Sequence, residues 1–235
     1  MSFVNHLLDQ LHPQPSPTWL AELRQTLVRQ LRDKPLPGRD VEQWRYTPLQ
    51  ALDKQPRTIE LRPSAAAQAT ISTEDLNPIL IPEWPCHRIV FVNGHFAPRL
   101  SFLDDLPDAV RFTNLASAGV DVMDGLRSIL ERPVGADPAD LMAVLNTAAL
   151  ADGSIIEVAA NHRIERPLHC LFISLPTEQA LACNVRNILR VGRKAQLKIV
   201  EQHLGWGEAD HLTNQFSQYE LDQDCSVEHL SLIHI

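Results

Sequence analysis

No Cys-x-x-Cys, no His-x-x-x-His and no matched Cys/His set occurs in the 235 residues, although the chain holds ten histidines and four cysteines. Zinc knuckles and redox dithiols need such spacing to bring two ligands onto one turn, so neither is signalled. Cys86, Cys170, Cys183 and Cys225 are widely separated and read as reduced, partly buried small apolar residues. The Gly-x-Ser-x-Gly, Gly-x-Gly-x-x-Gly and Walker patterns are also missing, which leaves a hydrolase elbow, a dinucleotide fingerprint and an NTP-binding loop without support. Basic charge is scarce: 21 Lys and Arg face 29 Asp and Glu, a net charge of −8 that argues against a phosphate-rich partner such as nucleic acid. The one basic cluster, over 190–198, is punctuated by strand residues and reads as a solvated sheet face. No segment approaches the ~20 apolar residues that span a bilayer. Met1 to His6 has neither the basic start nor the apolar run of an export signal, so the expected location is the cytoplasm.

What is present is a repeated strand-and-corner pattern. Leu189-Arg190-Val191-Gly192-Arg193-Lys194-Ala195-Gln196-Leu197 is followed by Glu220-Leu221-Asp222-Gln223-Asp224-Cys225-Ser226-Val227: an apolar residue, a polar turn, a small residue, then an alternating strand. A looser earlier copy is expected at Leu150-Ala151-Asp152-Gly153-Ser154-Ile155-Ile156. A small residue at a recurring corner suits a β-solenoid, which buries a core that no single repeat can build. Strands are predicted over 154–158, 168–174, 184–191, 196–203 and 211–221, with no helical crossover between them, so they read as successive rungs and not as βαβ units.

The N-terminal part reads as helical and interrupted. An amphipathic stripe at Trp19, Leu20, Leu23, Leu27, Val28 and Leu31 predicts a helix over 18–32, with a shorter one over 3–11 and a break at Pro13, Pro15 and Pro17. A short strand over 58–61 and a turn of helix over 72–76 follow. Arg88 to Val92, Asn93-Gly94 and His95-Phe96 predict a hairpin, because Asn-Gly supplies the positive φ of a two-residue turn. A helix over 121–130 and a second, capped by Asp137-Pro138-Ala139-Asp140 and ended by Asp152-Gly153, complete the reading. The fold class is α+β: a helical region over 1–52, a connecting region over 53–152 and β-helix rungs over 153–229.

Chemistry is thinly signalled. His203 and His211 stand eight apart across a Gly-Trp-Gly loop, and satisfied or solvent-facing histidines are the simpler reading. His162, His169 and Cys170 form the densest local group, yet Cys170 also reads as core. Glu157, Glu165, Glu201 and Glu228 recur on or near strands, as paired carboxylates do in β-helix enzymes acting on acidic polysaccharides, but nothing fixes their separation. No catalytic residue and no metal ligand is assigned, and the cofactor-binding residues are unknown. In Glu42-Gln43-Trp44-Arg45-Tyr46-Thr47-Pro48-Leu49, the aromatics beside Pro48 are expected to plug one end of the solenoid.

That octapeptide, the segment Arg88-Ile89-Val90-Phe91-Val92-Asn93-Gly94-His95-Phe96-Ala97-Pro98-Arg99-Leu100-Ser101, and the run from Leu145-Asn146-Thr147-Ala148 to Glu165-Arg166-Pro167-Leu168-His169 resemble the SufB/SufD family of iron–sulfur cluster assembly scaffolds, on its SufD side. Val200-Glu201-Gln202-His203-Leu204-Gly205 and Leu212-Thr213-Asn214 are similar to further rungs, so the order matches from about 41 to about 229. The resemblance implies an N-terminal helical domain, a right-handed parallel β-helix and a C-terminal helical region. It also implies a SufB-like partner, a SufC-like ATPase and a transient iron–sulfur cluster on the full complex, with no turnover by this subunit alone. The family's later rungs and terminal helices have no counterpart here, so a C-terminally truncated member is expected, its partner contacts largely lost, and no ligand residue is carried over. His203, His211 and His229 lie in rungs that precede that region. Leu230-Ser231-Leu232-Ile233-His234-Ile235 is what a transposon mosaic end used in DNA library preparation encodes in one frame, so 230–235 is expected to be a non-native, adapter-derived tail. Resequencing the locus from intact genomic DNA and finding those six codons followed by a stop would refute this. The alternatives are a β-solenoid enzyme acting on polysaccharides and a plain protein-interaction module.

Overall fold

The computed structural model describes residues 2–80, 84–132, 137–208 and 210–234. The chain opens with two short helical layers. Helix α1 (Phe3–Leu8) starts where the Ser2 side chain accepts from the Asn5 N–H, and α2 (Thr18–Leu31) follows the proline break. Between them and the strands come α3 (Ala65–Ala69) and α4 (Thr73–Leu76), the latter closed by a reciprocal Ser72–Asp75 capping box. The expected strand over 58–61 reduces to one bridge, Thr58 to Leu181.

Strand β1 (His87–Val92) turns back antiparallel into β2 (His95–Phe96), with Val92 opposite His95. Asn93 and Gly94 take φ of 48° and 83°, as the two central positions of such a turn demand. Strand β3 (Val110–Asn114) then leads into α5 (Val120–Gly125), α6 (Arg127–Leu130) and α7 (Leu141–Ala148). A single helix over 121–130 was expected; the chain makes two, because Leu126 caps one and begins the next. Asp137 accepts from the Ala139 N–H and caps a 3-10 turn ahead of α7.

From there the chain is strand after strand: β4 (Asp152–Val158), β5 (Leu168–Ser174), β6 (Leu181–Val191), β7 (Gln196–Gly205), β8 (His211–Leu221) and β9 (Ser226–His234). These alternate between two sheets. One has the order β2-β1-β5-β7-β9 and the other β3-β4-β6-β8. Every pairing among β4 to β9 is parallel; β2 and β3 are antiparallel edge strands. The molecule is thus a mixed α/β fold in which, from β4 onward, each strand pairs with the next but one along the chain.

The repeat legible in the sequence is the register of these sheets: Val191 sits opposite Leu221 and Leu197 opposite Val227. The corners between them stack through the backbone, the Lys194 N–H donating to the Gln223 carbonyl at 3.0 Å and Ser226 N–H to Ala195 at 2.9 Å. Lys194 and Asp224 both adopt left-handed φ, 58° and 59°. The earlier copy is one corner later than the sequence suggests. Asn161, at φ 61°, is the equivalent position, and its N–H donates to the Arg193 carbonyl at 2.8 Å. The stretch over 150–153 has turn composition but a different task. Asp152 lies inside β4, and its carboxylate accepts from the N–H groups of Phe96, Ala116 and Gly153 at 2.8 to 3.0 Å. It does not end α7, which stops at Ala148.

Alternation along each strand divides the core. Ile89, Phe91, Cys170, Phe172, Leu197 and Ile199 of one sheet meet Ile156, Val158, Val185, Leu189 and Val191 of the other between the layers. The outward side of β4 and β6 carries Ile155 and Ile188, covered by Leu20 of α2 and by Leu126, Ile129 and Leu130. Alpha-helical residues of α1, α2 and α7 cover Ala182 and Leu212. The aromatic octapeptide lies on this helical flank and is not an end plug: the Trp44 indole N–H donates to the Ala139 carbonyl at 3.0 Å, while Tyr46 is 92% exposed.

Candidate functional site

The space between the sheets changes character along the chain. Its early layers are apolar, whereas the inward positions of the last three strands include Glu201 and His203 on β7, Gln215, Ser217 and Tyr219 on β8, and His229 on β9. Glu201 is the hub. Its Oε1 lies 3.0 Å from His203 Nε2, its Oε2 lies 3.5 Å from His229 Nε2, and Gln215 Nε2 donates to Oε2 at 2.6 Å. The Tyr219 hydroxyl is 2.6 Å from His229 Nδ1, so tyrosine, imidazole, carboxylate and imidazole form one chain of hydrogen-bonding groups. Burial opposes the charge on Glu201, but the bonds from His203 and Gln215 and the nearby imidazoles outweigh it and hold the carboxyl below its ordinary range.

Cys170 lies directly opposite Glu201 in the register. Burial, reinforced by that carboxylate, pushes its thiol up to about 12, so it stays protonated at neutral pH. Tyr219 is pushed up to about 12 chiefly by burial as well. Cys170, Glu201, Ser217, Tyr219 and His229 border a cavity of about 20 Å³, room for one water-sized group. The arrangement can store and relay protons; it has no activated nucleophile. Above it, Phe91, Phe172 and His203 stack as a ladder at 5.3 and 5.0 Å between ring centroids.

The residues singled out in the sequence mostly go separate ways. His162 is exposed at a corner, its Nδ1 bonded to the Ala160 carbonyl at 2.9 Å. His169 and Cys170 are neighbours on one strand and point to opposite faces; His169 is buried, bonded to Gln202 at 2.9 Å and packed against Trp84. Of the four glutamates, only Glu201 faces inward. Glu157 pairs with Arg111, Glu165 with Arg163 and Glu228 with Lys198, all on the outside. His211 sits half-buried near the Arg57–Asp210 pair, with burial lowering its pKa. Cys183 is buried and pushed up to about 12, and burial raises half-buried Cys86. Among the described residues no three His, Cys, Asp or Glu are placed to hold a metal ion. Tyr219, Gln215 and Ser217 went unremarked in the sequence, although their period-2 spacing on one strand marks a shared face.

His169 carries a measurable consequence. Burial, with Arg88 nearby, lowers its pKa to about 4 against the bond from Gln202. The unfolded chain therefore binds a proton near pH 6.5 that the folded chain refuses until near pH 4. The penalty is absent above pH 6.5, grows as pH falls through that window, and reaches about 3 kcal/mol below it. Urea midpoints measured from pH 7 to 4.5 should fall less steeply in His169→Gln than in the parent; parallel profiles would contradict this.

Comparison with known proteins places the chain. The family model described as "SufBD protein N-terminal region" matches residues 8–170. An iron-sulfur cluster assembly SufBD family protein of Synechocystis sp. is 27% identical over 184 residues, which cover 78% of this chain and 39% of the relative. The chain thus spans about two fifths of the length of the curated relative it matches.

Proposed function

Because the chain belongs to the SufBD family, its function is related to iron–sulfur cluster assembly, and we propose that it is a scaffold subunit of SufD type, non-catalytic by itself. In this reading it acts beside a SufB-like paralogue and a SufC-like ATPase in the cytoplasm, and the cluster is the assembly's cargo. The observation that supports a scaffold role at the level of the family is the match over 8–170, which runs from the end of α1 into β5; the SufD type rests on the resemblance of the sequence motifs. We also propose that the alternating sheets are coils of a β-helix. The supporting observations are the near-constant advance in register, from Gln196 to Ser226 and from Val191 to Leu221, and the backbone bonds that join successive corners.

Glu157, Glu165 and Glu228 stand in separate outward ion pairs, away from inward Glu201, so these four glutamates form no carboxylate pair with one another, which weighs against the polysaccharide alternative. No helix among the described residues is long and apolar enough to cross a membrane. The test is co-expression of the gene, sequenced past codon 229, with a neighbouring ABC-type ATPase and a SufB-type paralogue. Co-purification of all three, with ATP hydrolysis confined to the ATPase, is the expected result. A chain that elutes alone under conditions where the other two associate would overturn the subunit role.

A further inference from the structure

Two adjacent clefts lie where the proline-rich segment after α1 passes over α2 and the residues that lead from α7 into β4. Their volumes are about 440 and 590 Å³, within the range of small-molecule sites. They share Arg24, Leu61 and Leu150 as walls, so the two chambers are adjacent, with Arg24 facing both. The first is walled by Leu8, Leu11, Val28 and Ala148; the second adds Arg62 and His95 to Leu115 and Met123.

The charge of this space runs against that of the chain. The protein carries −8 overall, yet among the described residues no Asp or Glu lines either chamber, while Arg24, Arg29 and Arg62 all do. Arg24 sits at the junction and donates through Nη2 to the Leu150 carbonyl at 2.6 Å. Neither Arg24 nor Arg62 has an ion-pair partner among the described residues. Burial disfavours the Arg24 cation, which an anion at the junction would relieve. His95 supplies a second open demand. It is 2% exposed, and its Nε2–H donates to the Glu60 carbonyl at 2.9 Å. Its Nδ1 is buried without a partner among the described residues, free to accept from a bound water or ligand hydroxyl.

From this juxtaposition of apolar walls with unpaired guanidiniums we infer that the cleft binds a small amphipathic organic anion, its carboxylate at Arg24 and Arg62 and its hydrocarbon body in the apolar chamber. Guanidinium and carboxylate match as planar, charge-assisted partners, and a low-dielectric wall strengthens the attraction. The site is separate from the Glu201 constellation and does not depend on the scaffold reading.

The test is calorimetric titration of the full chain with octanoate, octanol, octylamine and acetate. Octanoate should bind with one-to-one stoichiometry and at least about tenfold more tightly than the other three. Arg62→Gln, at an exposed position and therefore neutral to folding, should weaken octanoate about threefold, and Arg24→Gln about tenfold. Unchanged urea midpoints in Arg62→Gln separate lost binding from lost fold. Octanol matching octanoate would show apolar partitioning only. Acetate matching octanoate would show an anion site with no use for the hydrocarbon. Either result, or no octanoate binding, or Arg62→Gln indistinguishable from the parent, overturns the inference.

Discussion

Replacing Arg186 with Met should destabilise the fold by about 2–4 kcal/mol, the scale of two buried acceptors left without a donor. Arg186 is fully buried on the outward side of β6, beneath α7, and has no carboxylate partner among the described residues. Its guanidinium is satisfied by neutral groups instead: Nε donates to Asn146 Oδ1 at 2.9 Å, Nη1 to Gln218 Oε1 at 2.5 Å and Nη2 to Thr147 Oγ1, with the Phe216 ring centroid 4.5 Å from Cζ. Burial lowers its pKa to about 9, which leaves it cationic at neutral pH. An apolar replacement of similar volume removes the desolvation of a charge, which by itself favours the variant. The receptors decide the sign. Asn146 already spends its amide N–H groups on the Val185 and Asn214 carbonyls at 2.9 and 2.7 Å, and Gln218 donates to the Ile129 carbonyl at 3.0 Å. Neither amide can flip to heal the loss, so each carbonyl oxygen is left buried and unpaired, at about 1–3 kcal/mol apiece. Arg186→Lys should fall between, because one ammonium cannot reproduce a planar fork or its stacking. Urea denaturation would check the series; Met within 1 kcal/mol of the parent, on the order of a surface change, would show the network to be energetically neutral.

That network explains what local pattern could and could not reveal. The hairpin at Asn93-Gly94 and the strands at β5 and β8 were legible because period-2 alternation and turn chemistry are written in neighbouring residues. The corner repeat was legible for the same reason, since Ala195 and Cys225 occupy equivalent small positions. Long-range satisfaction is not written locally. Leu145-Asn146-Thr147-Ala148 stood out only through family resemblance, and nothing near it in sequence says that Asn146 and Thr147 receive a guanidinium about forty residues on. Asp152-Gly153 misled for the converse reason. Its composition is that of a turn, yet at the start of a strand the carboxylate accepts from the distant Phe96 and Ala116 N–H groups as well as from the neighbouring Gly153 N–H. Strand β3 was missed because an antiparallel edge strand with a mixed burial pattern carries little periodic signal. The Glu201 constellation was half visible: the glutamate and histidines were noted, but only the register brings residues 14 to 28 apart onto one inward face.

Gly153→Ala should be at least as damaging, with an expected loss of 3 kcal/mol or more, on the scale of severe overpacking. Gly153 lies opposite Arg186 in the parallel pairing of β4 and β6. It takes φ of 156°, and an added Cβ would stand 1.7 Å from the Arg186 carbonyl oxygen and 2.6 Å from its carbonyl carbon. Those are backbone atoms held in a ladder, so no rotamer change relieves the overlap; β4 must move away from β6. That movement would part Ser154 from Asn187 across the β4–β6 pairing and shift Asp152 against the Phe96 and Ala116 N–H groups from which it accepts. The cost therefore spreads beyond one contact. Gly205→Ala is the control, since open space surrounds that position and the expected change is about 0.5 kcal/mol or less. Circular dichroism and urea midpoints on both variants separate the two mechanisms. If Gly153→Ala and Gly205→Ala melt alike, close backbone approach between β4 and β6 does not limit stability, and the conformational freedom of glycine in the unfolded chain is what both substitutions report.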